Sequence, residues 1–271
     1  MRRQRLRPAI LVLACIALRP AIAPADDPEL TNDEKRQFLA SARIVNQRRV
    51  GRGITNPWRL TLTDGRLTHD AAFQTIDERA QVRKFERGNV EFNFTDSFHY
   101  NIAAFQIAEM VGLDSMVPVA VQRRWRGEDG ALVWWIEAEW DDADVRKAKL
   151  VPPNHVSWNA QRYRARVFSE LVQDTDRNLG NNLITSDWRL WLVDFTRAFR
   201  LSTELRRGAE LHRCDRSLLA KLRDLTEEAV EKSTHPHLSK LQIRALLARR
   251  DKLVAHFEKL IAERGENMVL Y

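Results

Sequence analysis

Cysteine is almost missing from this sequence: only Cys15 and Cys214 occur in 271 residues. Cys15 lies in an N-terminal stretch that reads as a leader. Cys214 then stands alone in the remainder, which excludes an internal disulfide and a cysteine-rich zinc site. There is no Gly-x-Ser-x-Gly, no His-Glu-x-x-His and no Gly-x-x-x-x-Gly-Lys in the chain. Those gaps set aside nucleophile-elbow hydrolases, zinc proteases of that type and phosphate-loop nucleotidases. An excess of one charge is missing too. The first 25 residues hold five arginines and no acid, and taking these from the 44 basic residues leaves 39 against 37 acidic ones. Near-neutral charge removes the electrostatic case for a nucleic-acid partner. No internal repeat or low-complexity tract is visible, and 44% hydrophobic with 30% charged residues is material for one domain with a sizeable core.

The leader has three parts. Residues 1–7 carry four arginines, 8–18 are apolar, and 21–25 are small and broken by proline. That order predicts a secretory signal peptide over residues 1–25, with cleavage after Ala25. The apolar run is too short to cross a bilayer. Processing before Cys15 in Val-Leu-Ala-Cys is the alternative and leaves a lipid-anchored cysteine. Either route makes the protein exported, periplasmic or extracellular, and membrane contact is expected only through this segment.

The stretch that carries chemistry is residues 171–200, LVQDTDRNLGNNLITSDWRLWLVDFTRAFR. Apolar residues Tyr163, Val167, Phe168, Leu171 and Val172 recur at helical spacing, predicting a helix over 158–172 that runs into it. Residues 174–182 are rich in Asp, Asn and Gly, which favours a loop. Two short strands, 182–185 and 189–195, then form a hairpin that carries Asp194 back beside Asn181. Such a hairpin brings Asp176, Asn181 and Asp194 together as oxygen donors. A magnesium or manganese ion takes oxygen ligands, and Asn181 with Asp194 leaves coordination positions for phosphate oxygens and water. Asp176 stays free to orient an acceptor hydroxyl and take its proton. A catalytic Asp followed five residues later by a metal-binding Asn is the spacing used in phosphoryl transfer.

At these residues the chain resembles a known group. Asp-Arg-Asn-Leu-Gly-Asn (176–181) and Leu-Val-Asp-Phe-Thr-Arg-Ala-Phe (192–199) resemble the D-R-x-x-x-N and L-[IV]-D-[NH]-x-x-x-F motifs of atypical kinases. These include phosphatidylinositol 3-/4-kinases, HipA-like bacterial kinases and secretory kinases of the Golgi casein kinase type. The segment NIAAFQIAEMVGLDSMVPV (101–119) is similar to a motif of the secretory kinases. The resemblance covers roughly residues 51–200. It implies an α+β, two-lobed protein-kinase-like fold: an N-lobe (26–137) of antiparallel sheet with one helix, and a mostly helical C-lobe (138–271). It also implies ATP or another nucleotide, Mg2+ or Mn2+, and a hydroxyl acceptor.

The rest of the chain reads in that frame. A Thr-Asn-Asp-Glu start predicts a surface helix over 31–44. Strands at 59–63 and 67–76 meet at Asp64-Gly65, a helix covers 96–111, and strands at 116–124 and 131–138 join at 127–130. Residues 133–136 lie where relatives link their lobes and contact adenine, although tryptophans at this spacing are more often core. Residues 141–153 are a charged connection. Helices over 218–230 and 239–261 buttress the lower lobe, and His235-Pro236-His237 is a solvent-facing loop without a third metal ligand. Gly51 and Gly53 are candidates for a nucleotide-covering loop.

Two departures from the family stand out. Gln74 occupies the position where active relatives have a phosphate-binding Lys, and Asn101 the position of the Glu that pairs with it. Losing both charges together avoids the cost, about 3–5 kcal/mol, of leaving one buried partner alone. The positive contact to phosphate must then come from Arg52, Arg79, Lys84 or Arg197, or be absent. Arg197 either stabilises the transferring phosphate or pairs with a carboxylate. Two readings follow: a phosphotransferase with Asp176 and Arg197 as catalytic residues, or an exported pseudokinase that binds a nucleotide or protein partner. The acceptor, whether protein, lipid, sugar or small molecule, is not legible.

Overall fold

A computed structural model of the chain describes residues 30–51, 57–85, 88 and 90–271. The expected signal peptide, Cys15, Arg52 and Gly53 lie outside these residues. Asn32–Tyr271 forms one compact unit.

The first half is built on strands. Helix α1 (Asn32–Ser41) leads into β1 (Arg43–Arg49), β2 (Trp58–Thr63) and β3 (Thr68–Gln74), followed by the hairpin β4 (Asp77–Lys84) and β5 (Val90–Ser97). Then come helix α2 (His99–Val111) and strands β6 (Ala120–Trp125) and β7 (Glu128–Trp134). Five of these strands pair antiparallel in the order β1-β2-β3-β7-β6, while β4 and β5 make a sheet of their own. The expected helix over 31–44 stops early, because Arg43 and Ile44 already pair with Thr63 and Leu62 of β2. The expected helix start at 96 also shifts: Asp96 and Ser97 belong to β5, paired with Glu78 and Asp77.

Helix α2 is the hub of this half. Ile102, Phe105, Ile107 and Val111 are buried, and so are Ala103 and Ala104 on its other sides. Small residues let β6, β7, α5 and α6 approach it from several directions. Each fully buried Ile or Phe contributes roughly 1.5–3 kcal/mol through the hydrophobic effect. Position 130 of β7 admits no side chain: a Cβ there would lie 2.5 Å from the Gln74 carbonyl oxygen and 2.8 Å from the Phe73 ring. Gly130 therefore lets β7 press against the end of β3 and fixes where Gln74 sits.

The chain leaves this sheet after Trp134 and enters a second one at β8 (Trp140–Asp141). What reads as a charged connection contains helix α3 (Asp142–Ala148), started by a capping box between Asp141 and Asp144. Helix α4 (His155–Leu171) follows, capped by Asn154. Strands β9 (Asn182–Ile184) and β10 (Leu190–Leu192) complete the sheet β10-β9-β8. The remainder is helical: α5 (Arg216–Asp224), α6 (Glu227–Thr234), α7 (Lys240–Arg264) and α8 (Glu266–Val269). The single helix expected over 218–230 is split because Thr226 caps a new one through the Ala229 amide. Among the described residues no helix is long and apolar enough to cross a membrane.

Candidate functional site

The loop after α4 is ordered by a buried ion pair. The Asp174 carboxylate, shielded from solvent, pairs with Arg177 Nη2 and accepts the Asp176 amide at 3.1 Å. Arg177 Nη1 donates to the carbonyls of Asn181 and Val193, both at 2.7 Å, and its guanidinium lies 4.5 Å over the Phe195 ring. One planar, always-charged group thus ties the loop to the end of β10. Asn181 Nδ2 donates to the Asp176 carbonyl at 3.1 Å, so the five-residue spacing closes a ring. The amide nitrogen is anchored, which leaves Oδ1 as the atom that could accept or ligate. Below the loop, Asp142 accepts from Asn182 Nδ2 at 2.7 Å and from Arg162 at 2.6 Å.

Asp194 lies two residues beyond β10, which ends at Leu192 and not at 195 as expected. Leu192 pairs with Asn182, and the Val193 amide donates to the Asn181 carbonyl at 3.0 Å. Its φ of 59° is left-handed, a conformation that Asp tolerates better than most residues but that still carries strain. Neighbouring bonds hold it there. The Phe195 amide donates to Asn101 Oδ1 at 2.8 Å, and the Thr196 hydroxyl donates to Asp194 Oδ1 at 3.2 Å.

Gln74 and Asn101 meet in the same place. Asn101 Nδ2 donates to Gln74 Oε1 at 2.6 Å, and Gln74 Nε2 faces Asp194 Oδ1 at 3.5 Å, a long bond at best. Asn101 is 4% exposed and both ends of its amide are used. Two neutral amides therefore stand between β3, α2 and Asp194, and only a dipole faces the carboxylate.

Carboxylates dominate the electrostatics. Burial is the first cause holding Asp176, Asp194 and Asp96 above the usual range. Arg177 opposes this at Asp194, and Arg197 opposes it at Asp176 and Asp96. Asp96 and Asp194 repel each other, as do Asp96 and Asp176. A divalent cation relieves such crowding. Among the described residues no three His, Cys, Asp or Glu side chains are placed to hold a metal by themselves. The donor set on offer is Asn181 Oδ1 with the Asp194 carboxylate, which suits an ion that takes its other ligands from phosphate and water.

The other expected site residues are placed differently. Gly51, with φ 68°, follows β1, and the Val50 amide closes the β1–β2 connection on the Pro57 carbonyl at 3.0 Å. Lys84 is exposed at the end of β4, paired in register with Val90 and not brought to Gln74, Asn101, Asp176 or Asp194. Arg197 pairs with Glu91 and lies 4.6 Å over Phe94, the second of the two roles expected for it. Trp134 stacks on His69 at 3.8 Å and Arg59 covers Trp135 at 4.1 Å. His237 corrects the solvent-facing reading of its loop: it is half-buried, with Nδ1 2.9 Å from Nδ1 of His99. A cleft of about 370 Å³ lies beside Arg79, Thr95, Tyr100 and Leu201; of the residues expected to contact phosphate or metal only Arg79 lines it. Sequence reasoning missed Asp174, Arg177, Asp96 and Glu91 as parts of the site; only the Asp-Arg dyad at 176–177 offered a signal for any of them.

A five-stranded antiparallel sheet over one buried helix, a helical second half, and an Asp-x-x-x-x-Asn loop facing an Asp after a short hairpin define an atypical kinase-like fold. No family model matches the chain, and no curated protein matches it. Solved structures do. The structure of hydra Fam20 with sugar aligns with a TM-score of 0.63 at 14% identity, covering 88% of this chain and 91% of its own. The Golgi casein kinase aligns at 0.62 and 13% identity over 88% of this chain and 78% of its own, and has also been solved with Mn and ADP bound. The Helicobacter pylori proinflammatory kinase CtkA aligns at 0.52 and 12% identity over 83% of this chain and 98% of its own. At such identities the likeness is one of fold.

Proposed function

We propose that this protein is a kinase-like phosphotransferase that moves a nucleotide phosphate to a hydroxyl acceptor. The observation that carries the reading is the closed ring between Asp176 and Asn181, with Asp194 delivered beside it. Asp176 orients the acceptor hydroxyl and receives its proton, a role helped by a pKa held above the ordinary carboxylate value. Asn181 and Asp194 would hold Mg2+ or Mn2+, which would supply charge stabilisation to a transferring phosphate. Arg177 keeps the loop and the Asp194 turn at a fixed distance, so catalysis rests on positioning. Gly51, just after β1, borders the nucleotide phosphates in this reading. The leader takes the protein out of the cytoplasm.

One observation favours a second reading. The neutral Gln74–Asn101 pair offers the phosphates no cation, as in a pseudokinase that binds nucleotide or a partner without turnover. Thermal unfolding with ATP or GTP, each with and without Mg2+ or Mn2+, separates the two. The first reading requires a metal-dependent rise, worth about 2.7 kcal/mol at a nucleotide concentration of 100 Kd, that is lost in Asp194→Ala. Metal-independent binding supports the pseudokinase, and no shift under any condition refutes both nucleotide-binding forms.

A further inference from the structure

The segment that follows Asp194 is held from outside by one acid. Glu91, on β5, pairs through one oxygen with Arg197 Nη2 and through the other with Arg200 Nη2. Arg197 and Arg200 are only 17% and 12% exposed, so this is a largely desolvated cluster rather than a surface contact. Arg200 Nη1 also donates to the Thr95 carbonyl at 3.1 Å, and the Thr196 carbonyl accepts the Ser97 amide at 2.9 Å. On the other side the Thr175 hydroxyl donates to the Arg197 carbonyl at 3.0 Å, joining the same segment to the Asp176 loop. The cleft of about 370 Å³ opens beside this junction, between the hairpin residue Thr95 and the segment residue Leu201. Apolar packing is therefore incomplete there, and the ion cluster makes the connection together with these hydrogen bonds.

Segments in this position of a kinase can be ordered by an added phosphate that pairs with arginine. Here the arginines already have their anion, supplied by a strand. The one hydroxyl within residues 194–200, that of Thr196, is buried and donates to Asp194. We propose that Glu91 is a positioning residue for the candidate site: it fixes residues 194–200 through Arg197 and Arg200, so that Asp194 and Asp176 are aligned without modification of the segment. The inference rests on the phosphotransferase reading for its catalytic meaning, and on the geometry alone for the clamp.

Amide hydrogen exchange on the full protein tests it, with Glu91→Gln and the conservative Glu91→Asp compared with wild type. The expected result is a rise in exchange of about tenfold or more in peptides covering residues 194–202 of Glu91→Gln, with α2 and α7 unchanged and Glu91→Asp intermediate. The metal-dependent nucleotide shift should weaken in the same order. Exchange at 194–202 equal to wild type, or a rise spread over the whole molecule, overturns the inference whether or not nucleotide binds. Local loosening in a protein that shows no metal-dependent shift even as wild type overturns the phosphotransferase reading, and the positioning role with it.

Discussion

Exchanging the amide pair for a Lys–Glu pair gives a quantitative test of how β3, α2 and Asp194 are coupled. In Asn101→Glu alone, a carboxylate enters a position that is 4% exposed, facing Gln74 Oε1 and close to Asp194. It can still accept the Phe195 amide, so the loss is that of an uncompensated buried charge, about 3–5 kcal/mol. In Gln74→Lys alone, the ammonium replaces an amide nitrogen 3.5 Å from Asp194 Oδ1 and gains attraction there. The Asn101 Nδ2 group then loses its acceptor, at a cost of about 1–3 kcal/mol. Together the two changes create an ion pair across a gap now spanned by a 2.6 Å hydrogen bond. The double variant should recover about 2–3 kcal/mol relative to the sum of the singles. Urea unfolding of the four proteins at neutral pH measures the coupling directly. Additivity within about 0.5 kcal/mol would show that the two positions do not share an environment and would refute the argument.

Two further outcomes follow from buried charge. Arg249 is 0% exposed and donates to the carbonyls of Leu171, Arg200 and Ser202, while burial pulls its pKa down to about 10, leaving it charged at neutral pH. Arg249→Met strands three carbonyls and should lower stability by about 3 kcal/mol or more, read as a shifted urea midpoint at constant slope. His237 is lowered by burial from 6.5 to about 4, with His99 and His235 adding repulsion. A base depressed in this way binds fewer protons folded than unfolded, so its contribution is complete above about pH 6.5 and lost as pH falls toward 4. Discounted for partial exposure, the stability difference between wild type and His237→Gln should shrink by about 1–2 kcal/mol across that window. A difference that stays flat with pH would count against the buried His99–His237 contact.

The loop at residues 174–182 could be read because its signals are local. Asp, Asn and Gly between a periodic helix and two short strands mark a turn in any context, and the 176-to-181 spacing needs no tertiary knowledge. Strand β1 was hidden because its burial leaves all but one of its residues exposed, so RIVNQRR carries no alternation. The β4–β5 hairpin was hidden for the same reason: DERAQVRK faces solvent along most of its length, and it is held by pairing with β5 and by ions. Glu91, Asp174 and Arg177 gain their meaning from partners in space. An exposed-looking acid on an unpatterned strand gives no warning that two arginines more than a hundred positions later will close on it.

The hydrogen bonds through Asn101 have a consequence for the order of folding. They join residues separated by 27, 94 and, through Gln74 to Asp194, 120 positions. Loop-closure entropy makes such contacts late ones. During synthesis β3 and α2 emerge with a buried amide that has no partner for its oxygen until residue 195 has been made and the β9–β10 hairpin has turned. The first half can collapse around α2 before then, but its polar centre is completed only by the second. The junction around Asn101 is thus withheld from every incomplete chain, and protection of the Phe195 amide in a refolding experiment reports the moment at which it closes.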